Sequence, residues 1–546
     1  MTMKNLSALF IVIVTMLGCQ SRQNRLEPAI PNLKQRVDAY QTVQLKTDIS
    51  GLSSAQKEML SLLFEVANIM DELFWQQAWG DKNILLNNIK DNDLKRYVKI
   101  NYGPWDRLNN NEPFIKGIGP KPAGARFYPE DMTKKEFQQL SNHNKGSLYT
   151  VIERNDQGKL VVIPYSQKWK KELTKASELL LEASELAESE GFKRYLKERA
   201  KALLTNDYYK SDLAWMEMKD NLIDFVVGPI ETYEDGLMGA KAAFEAYLLI
   251  KDTVWSARLN HFAQFLPQLQ KDLPVDDKYK TEMPGSDSDL NAYDVIYYAG
   301  DCNAGSKTIA INLPNDPDVQ IKKGSRKLQL KNSMRAKFDQ ILVPISQLLI
   351  DPDQRQYIDF NAFFENTMFH EVAHGLGIKT TINGKGTVRE ALKETASAIE
   401  EGKADILGLY IITHLTEMGE LDNKDLRTNY VTFMASIFRS VRFGAASAHG
   451  KANMIRFNYF LEKKAFTRNP QDGTYKVDFE KMKEAMQQLS KEILVLQGEG
   501  DYEKAKRMLD ELGVITPQLK KDLDRINDAN IPVDIVFEQG PKVIGL

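Results

Sequence analysis

Between residues 53 and 78 the apolar side chains Leu60, Leu63, Phe64, Ala67, Met70 and Leu73 recur three and four positions apart. That spacing predicts an amphipathic helix, with Ser53 or Ser54 as its cap. The period is lost between 99 and 165, where GPW and IGPKPAGARFYP interrupt it. Within that stretch SLYTVIER and KLVVIPY read as two strands of a hairpin turned at Asn155-Asp156-Gln157-Gly158. A long charged helical pattern follows over 170–204, its alternating signs marking a solvated face. Further strand-like runs, YDVIYYAG and KTIAINLP, lie within 293–314, and an apolar stretch covers 340–350. Nearly everything from 355 to 513 reads as helix, and the terminal IPVDIVFEQGPKVI turns strand-like again.

A chain of 546 residues is too long for one core, because single cores stop growing at roughly 250–300 residues. The patterning therefore predicts an α+β, predominantly helical protein of two lobes with a cleft between them. The mixed lobe would run over 35–250, with 295–340 and 505–546 returning to it. The helical lobe would take 340–504 together with 251–294. Apolar residues at 42% and charged residues at 27% are those of a compact, water-exposed body. With 72 basic against 75 acidic residues the net charge is −3, which leaves no electrostatic footprint for nucleic acid.

The N-terminus departs from this picture. Lys4 precedes the apolar run Leu6 to Leu17, which ends at Gly18 and Cys19. Spanning a bilayer takes about 20 apolar residues, so this shorter run reads as a signal peptide. Met16-Leu17-Gly18-Cys19 resembles a bacterial lipoprotein signal, which implies removal of the segment before Cys19 and lipidation of that cysteine. The expectation is an exported protein, lipid-anchored to the bacterial cell envelope on a periplasmic or outer-membrane face. An ordinary signal peptide is the alternative. Residues 20–34 form a polar tether with two prolines. With Cys19 carrying lipid, Cys302 has no partner for an intramolecular disulfide.

Candidate chemistry is concentrated at His370-Glu371-Val372-Ala373-His374, inside a helix predicted from about Asn361, capped by Asp359 and stopped at Gly375 and Gly377. Positions i and i+4 of a helix share a face, so both imidazoles can reach one ion, while Glu371 projects beside it as a base for water. Two histidines leave a catalytic zinc one protein ligand short. Glu401, 27 residues after His374, supplies a carboxylate on a second helix whose start is signed by the capping box Thr387-Val388-Arg389-Glu390. Asp405, four residues on, and the neighbouring Glu400 can accept the histidine N–H groups that face away from the ion. The expected cofactor is one Zn²⁺ per chain.

These motifs, taken in order along the chain, resemble the dipeptidyl peptidase III metallopeptidases. Glu400 to Asp405 matches that family's Glu-Glu-x-x-Ala-acid segment. Gly228-Pro229-Ile230-Glu231-Thr232-Tyr233 looks like its Glu-x-Tyr segment. The resemblance implies that Glu231 binds the free amino group of a peptide and that Tyr233 steadies the carbonyl under attack. Ala310 to Asn315 is similar to its Asn-x-Pro-Asn strand, implying Asn312 and Asn315 as substrate contacts, and Ser447-Ala448-His449 matches its downstream catalytic histidine. The chain departs from the family in two places: its histidine motif has five residues where most members have six, and Asn453 stands four residues after His449 where arginine is usual. The reading that follows is zinc-dependent hydrolysis of oligopeptides with release of N-terminal dipeptides. A thermolysin-type endopeptidase and a non-catalytic lipoprotein that binds peptide or zinc are the rival readings.

Overall fold

The computed structural model describes residues 25–282, 289–421 and 425–546. The signal run, Cys19 and the first residues of the tether lie outside them. Among the described residues no helix is long and apolar enough to cross a membrane.

The architecture is α+β and mainly helical, with two hydrophobic cores. The first core is built from residues 30–250 and 293–330, joined by Ile544, around the helix Ser54–Ala78 and a five-stranded sheet. That helix starts as its sequence predicts, with Ser53 and Gln56 exchanging side-chain and backbone hydrogen bonds in a capping box. The hairpin also forms, Thr150–Arg154 pairing antiparallel with Leu160–Pro164. The charged stretch 170–204 is two helices, Lys170–Leu186 and Glu190–Thr205, where the pattern alone suggests one. Ser189 ends the continuity: its hydroxyl accepts the Phe192 N–H and restarts the chain as a new helix.

We number the strands of the five-stranded sheet β1 (Ile223–Pro229), β2 (Phe244–Lys251), β3 (Asp289–Gly300), β4 (Ala310–Leu313) and β5 (Arg326–Leu330). Their spatial order is β1-β2-β3-β5-β4. Only the β3–β5 pairing is parallel. The short β4 is therefore an edge strand, with one row of backbone groups unpaired within the sheet. Strand β3 spans the border, since Leu290 and Ala292 pack in the second core and Tyr293 onward in the first.

The second core is helical and begins near Met334, earlier than the expected 340. Residues 505–531 also belong to it: Ala505, Met508, Leu509, Leu519, Leu523 and Ile526 pack with the helical core. This corrects the assignment of the whole C-terminal stretch to the mixed lobe. The helices Tyr502–Leu512 and Pro517–Asp528 carry their apolar residues on one face, and that face meets helices. The chain then crosses back: Asp534–Glu538 pairs in parallel with Tyr40–Gln44, tying the two ends of the described chain together, and Ile544 packs in the first core.

Candidate metal centre and cleft

Four helices carry the site: α1 (Phe360–Ala373), α2 (Ala396–Glu417), α3 (Leu426–Val441) and α4 (Ala448–Glu462). Asp359 caps α1 through the Ala362 N–H, as its position in the sequence suggests. His374 is the residue just past the last full turn and keeps helical angles, so it stays one turn beyond His370. The second helix starts later than expected. The Thr387–Glu390 capping box does form, but it opens only the short helix Val388–Leu392, because Lys393 adopts a left-handed φ of 52° and turns the chain before α2 begins.

The packing of α2 against α1 sets the geometry. At Gly408 an added Cβ would lie 2.8 Å from the His370 backbone nitrogen, so this position admits only hydrogen if the two helices are to approach this closely. The approach brings each histidine to a carboxylate: His370 Nδ1 is 2.7 Å from Asp405 and His374 Nδ1 is 2.9 Å from Glu400. Those contacts turn both Nε2 atoms inward, 3.2 Å from each other. Glu401 Oε2 faces them at 3.4 Å and 3.7 Å. His370, His374 and Glu401 thus each offer one ligand atom, all within 4.8 Å of one another. His449, at the start of α4 behind its cap Ser447, puts Nδ1 3.2 Å from the same Glu401 oxygen.

That oxygen tests whether a cation belongs here. Glu401 Oε2 is buried and receives no hydrogen bond of sound geometry, although three imidazoles surround it. Two inward ring nitrogens and one orphaned carboxylate oxygen are a donor set suited to a divalent ion, and nitrogen with carboxylate is what zinc accepts. The field points the same way. Burial alone would lower the His370 pKa, but Asp405 and Glu401 outweigh it and lift it to about 10, so positive charge is drawn to this point. Burial opposes the charge on Glu401 too, yet the neighbouring imidazoles hold its carboxyl far below the usual range.

Further groups, which the sequence pattern does not single out, hold the carboxylates in place. Arg456 on α4 pairs with Asp405, Lys403 with Glu400 at 2.8 Å, and Gln497 donates to Glu400 at 3.0 Å. Lys403 is legible in hindsight, three residues from Glu400 on one helix. Arg456 and Gln497 arrive from other helices and leave no local signal.

A cavity of about 580 Å³ opens over the three candidate ligands, with Glu371 and His449 on their side and Asn312 of β4 and Lys327 of β5 opposite. A second, of about 470 Å³, continues from His370, Glu371 and His449 to Asn453, Arg439 and Arg456. Asn453 is engaged within the protein, accepting from Arg456 at 2.7 Å and donating to the His449 carbonyl at 2.8 Å.

Glu231, Tyr233 and Asn315 stand apart from the metal group. Asn315 donates to Glu231 at 3.3 Å, which brings those two together on the mixed lobe. Burial raises the Glu231 carboxyl, with the Asn315 bond opposing. Tyr233 is 85% exposed, and the charge of Glu231 raises its hydroxyl. The loop itself is anchored just downstream. Glu234 pairs with Arg107 at 2.7 Å and Lys121 at 2.8 Å, and Asp235 accepts the Tyr128 hydroxyl and several backbone N–H groups.

Two lobes, a helix bearing the histidine pair and a facing helix bearing a candidate third ligand define a metallopeptidase architecture. A model of Peptidase family M49 matches residues 121–388, which takes in the histidine motif and ends before Glu401. The solved structure of DPP III from Caldithrix abyssi is 42% identical and superposes with a TM-score of 0.89, over 93% of this chain and 99% of that one. Dipeptidyl-peptidase III from Corallococcus sp. strain EGB is 38% identical with a TM-score of 0.77, over 93% of this chain and 97% of that one. A protein of Arabidopsis thaliana named Nudix hydrolase 3 is 36% identical across 92% of this chain and 73% of its own length. The chain belongs to peptidase family M49, among the dipeptidyl peptidase III proteins.

Proposed function

We propose that the protein is a zinc-dependent peptidase that removes dipeptides from the N-terminus of oligopeptides. The observation that carries the metal part is the buried, unpartnered Glu401 Oε2 facing the inward nitrogens of His370 and His374. When bound, zinc supplies Lewis acidity, which eases ionisation of water and polarises a carbonyl.

The chain's own residues do the rest. Glu371, on the same helix but turned toward the cavity, takes a proton from the attacking water and returns it to the leaving amine. Edge strand β4 offers its free backbone groups to an extended peptide, with Asn312 over the metal group and Asn315 further along beside Glu231. The Glu231 carboxylate receives the peptide's free ammonium, which sets where the chain is cut. The Tyr233 hydroxyl and His449 stabilise the oxyanion. Tyr233 is in solvent, so its part requires the mixed lobe to move toward the helical lobe once a peptide is held.

Peptides with free and with acetylated N-termini, incubated with purified protein and identified by product mass, test this reading. Dipeptides released only from free N-termini support it. Equal cleavage of both, at internal bonds, replaces it with an endopeptidase. We further infer, from Cys19 and the apolar run before it, that the protein is exported and held at the membrane by a lipid. Fatty-acid labelling of the wild type and of Cys19→Ser decides that, and equal labelling of both would refute the anchor.

A further inference from the structure

The last turn of α1 leaves one carbonyl for which the helix has no donor. Gly375, whose N–H would complete the bond to the Glu371 carbonyl, bonds Val372 instead at 3.0 Å, and Leu376 bonds Ala373 at 3.1 Å. Four carbonyls at any helix end lack partners within the helix, and a buried one left open is costly. Here the donor comes from the other wall of the cleft: Lys327 Nζ lies 2.7 Å from the Glu371 carbonyl. The same ammonium lies 3.4 Å from the Glu371 carboxylate. One cation therefore touches both the main chain and the side chain of the residue proposed as the base.

Its location on the sheet adds to this. Arg326, Leu328 and Leu330 of β5 are all buried, with both leucines in the first core, and Lys327 alternates to the opposite face. In the antiparallel pairing of β5 with β4, Lys327 stands directly opposite Asn312, so the two side chains emerge side by side into the cavity over the metal group. The strand proposed to carry the peptide and the helix carrying the base are linked through this one side chain.

We propose that Lys327 is a positioning residue for Glu371, fixing its carboxylate relative to a peptide lying along β4. This rests on the reading of Glu371 as the proton acceptor. Without the ammonium the end of α1 loses a tie to the sheet and the Glu371 side chain loses its only cation among the described salt bridges. A displacement of about 1 Å in a reacting group can cost roughly 100-fold in rate.

The test compares Lys327→Met, which keeps length and removes charge, with Lys327→Arg, reading kcat, KM, bound zinc and thermal midpoint. We expect Lys327→Met to lower kcat by roughly 10- to 100-fold, with KM and zinc within about twofold of wild type, and Lys327→Arg to recover most of the loss. A kcat within twofold of wild type in Lys327→Met overturns the proposal. A raised KM with kcat intact also overturns it, by assigning Lys327 to peptide binding. Loss of zinc or of thermal stability in proportion to kcat, unrelieved by arginine, would make the role structural. Should Lys327→Met not fold, Lys327→Gln is read the same way. A wild type that cleaves no peptide would instead remove the functional reading on which the proposal stands.

Discussion

The two walls of the cleft are built to different standards. On the helical wall both metal-facing histidines are held by other side chains: Asp405 orients His370 and is itself paired with Arg456, while Glu400 orients His374 and is held by Lys403 and Gln497. On the mixed wall the loop is anchored at Glu234 and Asp235, but Tyr233 projects into solvent and the Glu231 carboxylate is touched by Asn315 alone among the described hydrogen bonds. A metal site needs its ligands in place before the ion arrives, because displaced ligands forfeit affinity. A peptide site can complete itself around the peptide, and groups that act on the transition state need to arrive only with it.

The largest effect should come from the helical wall. Glu371→Ala should lower kcat by more than about 1000-fold while zinc content stays near one per chain, since the three ligands remain. Metal analysis beside kinetics checks this, and zinc loss in that variant would mean Glu371 belongs to the ligand set. His370→Ala serves as the contrast, because it should lose both zinc and activity. Tyr233→Phe examines the mixed wall. A fall in kcat of roughly 100- to 1000-fold with little change in KM is expected if the hydroxyl reaches the carbonyl on closure. An unchanged kcat would show that the exposed ring never arrives.

Gly408→Ala probes how far the helical wall depends on close packing. Its new Cβ would meet the His370 nitrogen at 2.8 Å, so α1 and α2 must part. We expect a loss of about 1–3 kcal/mol in stability, measured by denaturant unfolding, together with weaker zinc retention against a chelator. The smallest effect concerns Glu231. Its raised pKa means that it keeps a proton to higher pH than an ordinary carboxyl, and the charge that holds an ammonium is lost as pH falls through that raised value. The preference for free over acetylated N-termini should therefore decline with falling pH while still above about 4.3, the usual glutamate value. In Glu231→Gln the preference should be low, by about 10-fold, and flat with pH. A pH-independent preference in the wild type would place ammonium recognition elsewhere.

Local pattern was a reliable guide wherever the physics is local. Helical spacing predicted Ser54–Ala78, i and i+4 placed His370 and His374 on one face, and Asp359, Ser53 and Thr387 were readable as caps because capping involves residues three positions apart. The breaks at Ser189 and Lys393 are not legible in that pattern for a related reason: both interrupt runs whose polar and apolar residues keep the helical period, and a single backbone or capping choice decides between one helix and two.

By itself the sequence determined the chemistry available: which imidazoles and carboxylates exist, that two histidines share a helix face, and that the chain is too long for one core. Only the tertiary structure decided which of those groups meet. Residues 505–531 joined the helical core because their apolar face fits helices, Gly408 let α2 close on α1, and Arg456 and Lys327 reached Asp405 and Glu371 from elements remote in the chain. Contacts of that kind depend on the distance between packed elements, which no periodicity along a single segment encodes.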